Sequence, residues 1–320
     1  MVQDLLIMNK EFDLLVIGEI NPDLIVRGQD VVPEFGQAEK LVEEARLTIG
    51  SSSVITACGA ARLGLKVAFM GLVGEDEFGR FMLDAMQERG IDTSACIVDP
   101  MLATGMSVIL SGPEDRAILT YPGTMPLLRI EQIDESMLQK ARHLHLGSYF
   151  LLDALRPGLP GLFKHARELG LTTSLDTNWD PSGEWHVKPM LAHVDIFFPN
   201  QNEVLLITGQ ENFSSAMDEL AAQVPTVAVK RGALGGLARQ GDKTITAPAL
   251  AVNVVDTTGA GDSFNAGFLY GHLHDYTLED SLALACACGS LSTRSAGGTA
   301  AQPTLSEAEV AMQQQSEKSV

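Results

Sequence analysis

Cysteine is scarce in this chain. Four residues, Cys58, Cys96, Cys286 and Cys288, stand at uneven spacing among apolar or small neighbours. That pattern suits buried thiols in a reducing compartment and offers no disulfide framework, and Cys286-x-Cys288 is not the spacing of a zinc pair. Basic residues are also in deficit: Lys plus Arg number 22 against 41 Asp plus Glu, a formal net charge of −19. So acidic a surface repels nucleic acid and anionic lipid alike. A phosphate-bearing ligand would therefore have to be held locally, by backbone amides, a divalent ion or a few placed cations. No uncharged run approaches the ~20 apolar residues of a membrane helix, and Met1–Lys10 has neither a basic leader nor a cleavage-like site. These absences lead to the expectation of a cytoplasmic protein without nucleic-acid or membrane partners.

What is present is an ample supply of core-forming residues, 45% hydrophobic over 320 positions, enough for one large domain. Short apolar runs alternate with helical patterns, as in βαβ units around a mainly parallel sheet. Strands are expected at 12–18, 66–73, 143–146, 172–176, 196–199 and 226–230. Helices are expected at 53–63, 161–169, 213–223, 263–274 and 278–292. A further helix follows Asp76 as cap, with Phe78, Met82, Ala85 and Met86 in helical register and Gly90 as exit. Two partly polar stretches, at about 24–48 and 104–121, break the alternation and read as a small β-sheet lid on a single domain spanning 1–320. The polar end, Met312–Val320, is expected to fray.

The segment Asp256-Thr-Thr-Gly-Ala-Gly-Asp-Ser-Phe-Asn-Ala-Gly-Phe268 carries the most chemistry. A turn of small residues runs into a helix with Phe264, Phe268 and Leu269 on its apolar side. Free N–H groups and the positive end of the helix dipole then converge on one spot, an anion cradle at the turn Thr258–Gly261. Asp262 beside such a cradle either caps the helix or accepts a proton from an attacking hydroxyl. The segment matches neither the dinucleotide fingerprint nor the Gly-x-x-x-x-Gly-Lys-Ser/Thr loop, which is absent from the chain.

This segment closely resembles the C-terminal signature of the ribokinase family of carbohydrate kinases, the pfkB-type sugar kinases. Five further elements resemble the family in the correct order. They are Gly18-Glu-Ile-Asn-Pro-Asp23, Gly50–Gly64, Gly71–Gly79 with Gly90–Ser94, Asn200-Gln-Asn-Glu203 and Lys230–Gly236. The resemblance implies an α/β fold, a ribokinase-like three-layer α/β/α sandwich with a mainly parallel central sheet and a small β-sheet lid. It implies ATP-dependent transfer of a phosphoryl group to a hydroxyl of a sugar or sugar acid, with Mg²⁺ and, in some members, a monovalent cation such as K⁺.

Carried over residue by residue, Asp262 would be the base and the amides of Gly259, Ala260 and Gly261 the anion hole. Asn21, Asp23, Gly50, Ser51, Ser52 and Ile55 would face the acceptor. Lys230, Gly232, Gly235 and Thr258 would line the ATP site, with Asn200 and Glu203 acting on Mg²⁺ and phosphate through water. Taken alone, Asn200 and Glu203 equally fit an ordinary helix start, and Lys230 the polar end of a strand. Lid-to-lid pairing into a homodimer is common in the family.

The sequence departs from the family pattern at two places. Gly50-Ser51 replaces a pair of glycines and Ile55 stands where an asparagine is expected, so a polar contact to the acceptor is lost or passes to Ser51, Ser52 or Ser53. Cys286 stands near a position that often borders adenine. Asn178, in Asp176-Thr-Asn-Trp-Asp-Pro181, could face phosphate or sugar. His143-x-His145 and His272-x-His274 lack a third ligand and read as structural. The rival readings are a nucleoside kinase using Phe35 and Tyr121, a phosphosugar kinase using Arg27, Arg46 or Arg116, and a non-catalytic sugar or nucleotide sensor.

Overall fold

The computed structural model describes residues 10–113 and 115–318. Fourteen strands form among the described residues: β1 (Phe12–Ile17), β2 (Pro22–Arg27), β3 (Glu44–Ile49), β4 (Val67–Met70), β5 (Leu72–Gly74), β6 (Ile97–Asp99), β7 (Met106–Ser111), β8 (Arg116–Tyr121), β9 (Ala141–Leu146), β10 (Thr172–Leu175), β11 (Ile196–Phe197), β12 (Thr226–Lys230), β13 (Gly236–Gln240) and β14 (Lys243–Ala247). Eight make the main sheet in the order β14-β13-β12-β11-β10-β9-β1-β4. From β12 to β4 every neighbour is parallel, and the β13–β14 hairpin extends one edge antiparallel.

β1 shows why these strands read as unbroken apolar runs. Leu15 and Ile17 pack into one core and Leu14 and Val16 into another, all fully buried, so both faces of the strand are covered. The first core takes Leu162 and Phe163 from the helix Leu159–Glu168; the second takes Phe268 from the helix Ala260–Leu273 and Leu284 from Leu278–Ser292. The three-layer sandwich expected from sequence is thereby formed.

β3-β2-β7-β8 make a separate four-stranded sheet, with β2 and β7 parallel and both edge strands antiparallel. It brings Asp23 level with Thr48 and Ser107.

Two expectations are corrected. The run at 66–73 is two strands, because β5 leaves the main sheet to pair with β6. The polar end does not fray through Lys318: Leu305–Lys318 is helical, holding Leu305, Ala308, Ala311 and Met312 against the second core. That narrow apolar stripe is enough to fix an otherwise polar helix. The reading of Met1–Lys10 as no signal sequence falls, except for Lys10, outside the described residues. Among the described residues no helix is long and apolar enough to cross a membrane.

The functional residues gather where parallel strands end. β1 leads to Glu19 and Asn21, β9 to Ser148, β10 to Asp176 and Asn178, β11 to Asn200, and β12 ends at Lys230. An open parallel sheet presents ligand groups at this edge.

Candidate active site

Gly259 turns the chain into the helix Ala260–Leu273 with a left-handed φ of 73°, and a Cβ there would lie 2.7 Å from Gly298 Cα. Only glycine fits that backbone and that contact. No side chain caps the helix start; Ala260 N donates to Thr257 O at 3.2 Å, while the amides of Gly259 and Gly261 and the helix dipole remain for an anionic ligand.

Asp262, in the first turn of this helix, is 8% exposed and accepts a hydrogen bond from Ser52 Oγ. Burial pushes its pKa up to about 8, the nearby Asp176 carboxylate adds to the rise, and the Ser52 bond and the Lys230 ammonium oppose it. A buried carboxyl with a raised pKa beside a helix start is a candidate for proton transfer.

A buried charge cluster supports it. Asp176, fully buried, accepts from Lys230 Nζ at 2.5 Å and from Asn265 Nδ2 at 2.6 Å. The Lys230 stem lies against Gly261, 3.1 Å from where a Cβ would stand. Burial works against the Lys230 ammonium, but Asp176 and Glu203 outweigh it and hold its pKa above the usual value. Glu203 is raised to about 7, by burial first. Asn200 and Glu203 are bonded to each other: Asn200 Nδ2 donates to Glu203 Oε1 at 2.6 Å, and each caps the other's backbone at the start of Gln201–Thr208. They make a capping box behind Lys230.

Two cavities meet at the cradle. The larger, about 570 Å³, is walled by Lys230, Gly232, Gly235, Thr257, Ala260 and Gly261 on one side and by Leu250, Val252, Phe264 and Cys286 on the other. The smaller, about 240 Å³, is closed by Asp262, Gly259, Thr258, Ile55, Ser51 and Ser52 below and by Arg116, Ile118 and Thr120 from the lid sheet. Asn21, Asp23, Asn178, Glu19 and Ser148 complete it. Asn200 and Glu203 line neither, and Thr258, grouped by sequence with the ATP residues, lines the smaller one.

The smaller cavity is a network of committed polar groups. Glu19 is buried at its floor, accepting from Ser53 Oγ at 2.5 Å and Ser148 Oγ at 2.8 Å; burial raises its pKa. Ser148 in turn accepts from Asn178 Nδ2 at 3.1 Å. Asp23 is pushed up to about 7 by burial, with Arg116 opposing. Gly50 makes room for it, since a Cβ there would sit 2.2 Å from Asp23 Oδ1. Ser51 caps the helix Ser52–Leu63 through Val54 N and donates to Glu19 O. Arg116 Nη1 reaches across from the lid to Thr258 Oγ1 at 2.6 Å and lies 3.6 Å from Asp256.

Sequence reasoning gave no role to Glu19 or Asp176. Each is a lone carboxylate in a quoted motif, and both follow a strand at the ligand edge. His143 and His145 are buried on Thr172 and Ser174, with burial depressing both pKa values, and serve the core.

A family model described as pfkB family carbohydrate kinase matches residues 11–305. An uncharacterized sugar kinase of Archaeoglobus fulgidus is 31% identical over 69% of this chain and 89% of its own length. A 5-dehydro-2-deoxygluconokinase of Geobacillus kaustophilus is 30% identical over 83% of this chain and 85% of its own length. A candidate ribokinase II of E. coli, solved in complex with ATP and Mg²⁺, superimposes with a TM-score of 0.83 at 23% identity, covering 95% of this chain and 99% of that one.

Proposed function

Because this chain belongs to the pfkB family of carbohydrate kinases, phosphotransferases that act on a hydroxyl group, we propose that it transfers the γ-phosphoryl group of ATP to a neutral monosaccharide held in the smaller cavity. The observation that carries this reading is the position of the cradle: Gly259, Ala260 and Gly261 form the partition between a large, largely apolar cavity and a smaller, more polar one, with Asp262 on the side of the smaller.

The acceptor hydroxyl attacks the γ-phosphorus. Its oxygen–phosphorus bond forms as the bond to the β–γ bridging oxygen breaks, its proton passes to the Asp262 carboxylate, and ADP leaves with the electron pair of the broken bond. The cradle amides meet the charge that develops on the transferred group. Lys230, between Asp176 and the cradle, offers the triphosphate a cation. Mg²⁺, present with ATP in the E. coli relative, would offset charge on the β- and γ-phosphates. Among the described residues no group of three His, Cys, Asp or Glu could hold a metal alone. Mg²⁺ would arrive on the triphosphate with its water shell, and Glu203, which is bonded to Asn200 and lines neither cavity, would act on it only through water.

Charge favours a neutral acceptor. Glu19, Asp23 and Asp262 line the small cavity, and its one cation among the described residues, Arg116, is engaged with Thr258 and Asp256. Burial already pushes all three carboxyls toward their uncharged forms, and a phosphosugar or sugar acid beside them would further oppose the ionisation of Asp262 that the transfer needs. At about 240 Å³ the cavity is also smaller than the ~300–1,000 Å³ of drug-sized sites. Phe35 and Tyr121, the aromatic residues that could stack a nucleoside base, are exposed. ADP release measured over a panel of neutral sugars, sugar acids, phosphosugars and nucleosides tests the reading. Turnover should be confined to neutral sugars, and preference for an anionic acceptor or a nucleoside would overturn it.

A further inference from the structure

We propose that the donor site holds the base of its nucleotide by shape and apolar contact, without reading the purine 6-position, so that GTP and ITP serve as phosphoryl donors beside ATP. This rests on the reading of the larger cavity as the donor site.

Away from the cradle, the wall of that cavity is Ala249, Leu250, Ala251, Val252, Phe264 and Cys286. These side chains offer contact area and one thiol, whose Sγ lies 3.6 Å from Ala247 O as its donor. The hydroxyls on the same wall are committed to the main chain. Ser290 Oγ donates to Cys286 O at 2.7 Å and accepts from Leu250 N at 3.0 Å, and Thr293 Oγ1 donates to Ser290 O at 2.7 Å. At the phosphate end Lys230 is held by Asp176. Arg231 alone among the described lining residues keeps a buried donor, Nε, without a partner. A single guanidinium N–H finds the N7 acceptor of adenine and guanine alike, and a second one reaching the 6-position would favour the oxo group of guanine and hypoxanthine, so Arg231 gives adenine no advantage.

Adenine and guanine differ by exchange of an amino for an oxo group at C6 and by an amino group at C2. To discriminate strongly, a site must present a fixed donor or acceptor that the wrong base leaves unpaired. Sites so built reject analogues by roughly 10⁴–10⁵, whereas apolar pockets manage roughly 10–200-fold. The side chains here belong to the second kind.

Calorimetric titration of the full chain with the non-hydrolysable imidotriphosphate analogues of ATP, GTP and ITP, in the presence of MgCl2, tests this without knowledge of the acceptor. The dissociation constants are expected to lie within about a hundredfold of one another. A wider gap in favour of the adenine analogue would overturn the proposal, because the main chain of 249–254 would then be reading the base, while the donor-site reading would stand. Failure of all three analogues to bind would overturn the donor-site reading itself and the proposal with it.

Discussion

The two cavities that share the Gly259–Gly261 partition are built on opposite principles. On the acceptor side, carboxylates, hydroxyls and an amide from five parts of the chain are hydrogen-bonded, Glu19 to Ser53 and Ser148, Ser148 to Asn178, and Ser52 to Asp262. On the donor side, the hydroxyls are spent on the main chain and aliphatic surface faces the ligand. Buried polar groups that lose a partner are costly, so a preorganised polar site rejects wrong ligands sharply, while an apolar one does so weakly. Selectivity should therefore reside with the acceptor, and the donor side should contribute mainly the triphosphate grip.

The sharpest way to break this comparison is at the partition. Asp262→Asn keeps the size of the side chain and its hydrogen-bond acceptor but cannot take the hydroxyl proton. A positioned base is worth roughly 10²–10⁴-fold in rate, so kcat should fall by at least about a hundredfold with both ligands still bound in calorimetry. Near wild-type kcat would show that Asp262 is only a cap. Stability should move the other way. Asp262 has a folded pKa of about 8, above the ~3.9 of an unfolded Asp, so the folded chain binds more protons between those values and this group destabilises it progressively as pH rises. The variant should melt higher than wild type at pH 8, and the gap should close toward pH 4.

Asp176→Asn comes next. It removes the hydrogen-bonded partner of the buried Lys230 ammonium and leaves Glu203 and Asp262 to offset its charge; breaking a buried pair in this way costs stability on the order of 3–5 kcal/mol. Because Asp176 also helps hold the Asp262 pKa up, the acid limb of kcat/KM, which rises as Asp262 loses its proton, should shift to lower pH. A purely structural Asp176 would lower the melting temperature without moving that limb.

Asp23→Ala acts on the acceptor alone. Loss of one charge-assisted hydrogen bond, about 1.5–3 kcal/mol, should raise the sugar KM by roughly ten- to a hundredfold and leave nucleotide affinity unchanged. An unchanged sugar KM would remove Asp23 from the site.

How much of this was legible depended on distance along the chain. The cradle and Asp262 were readable because turn, helix start and carboxylate are contiguous. The parallel sheet was readable because burial on both faces leaves strands continuously apolar. Glu19 was not, since what makes it a floor residue is Ser53 and Ser148, 34 and 129 positions away. Asp176 likewise depends on Lys230 and Asn265, 54 and 89 positions away. Thr258 was grouped with the nucleotide because sequence gives the turn but not which side of it each residue faces. The β13–β14 hairpin was hidden because Gly236–Gln240 carries few strand-forming residues, so the turn at Gly241-Asp242 has no strand pattern before it.

Ile55→Val is the smallest test, and it probes the partition from the acceptor side. Ile55 is 3% exposed, and its side chain packs against the cradle: Cβ atoms added at Gly259 and Gly298 would meet it at 3.0 and 2.4 Å. It also lines the small cavity. Removing one methyl should cost about 0.5–1.5 kcal/mol of stability and open a space of methyl size beside the bound sugar. Such a change of one methylene shifts preference by about 1–3 kcal/mol at most. The ratio of kcat/KM between a smaller and a larger neutral sugar should therefore move toward the larger, while nucleotide dissociation constants stay fixed because the donor wall is untouched. If the acceptor ratio stays constant and nucleotide affinity changes instead, Ile55 acts through the cradle, and the division of labour between the two cavities is not the one drawn from their chemistry.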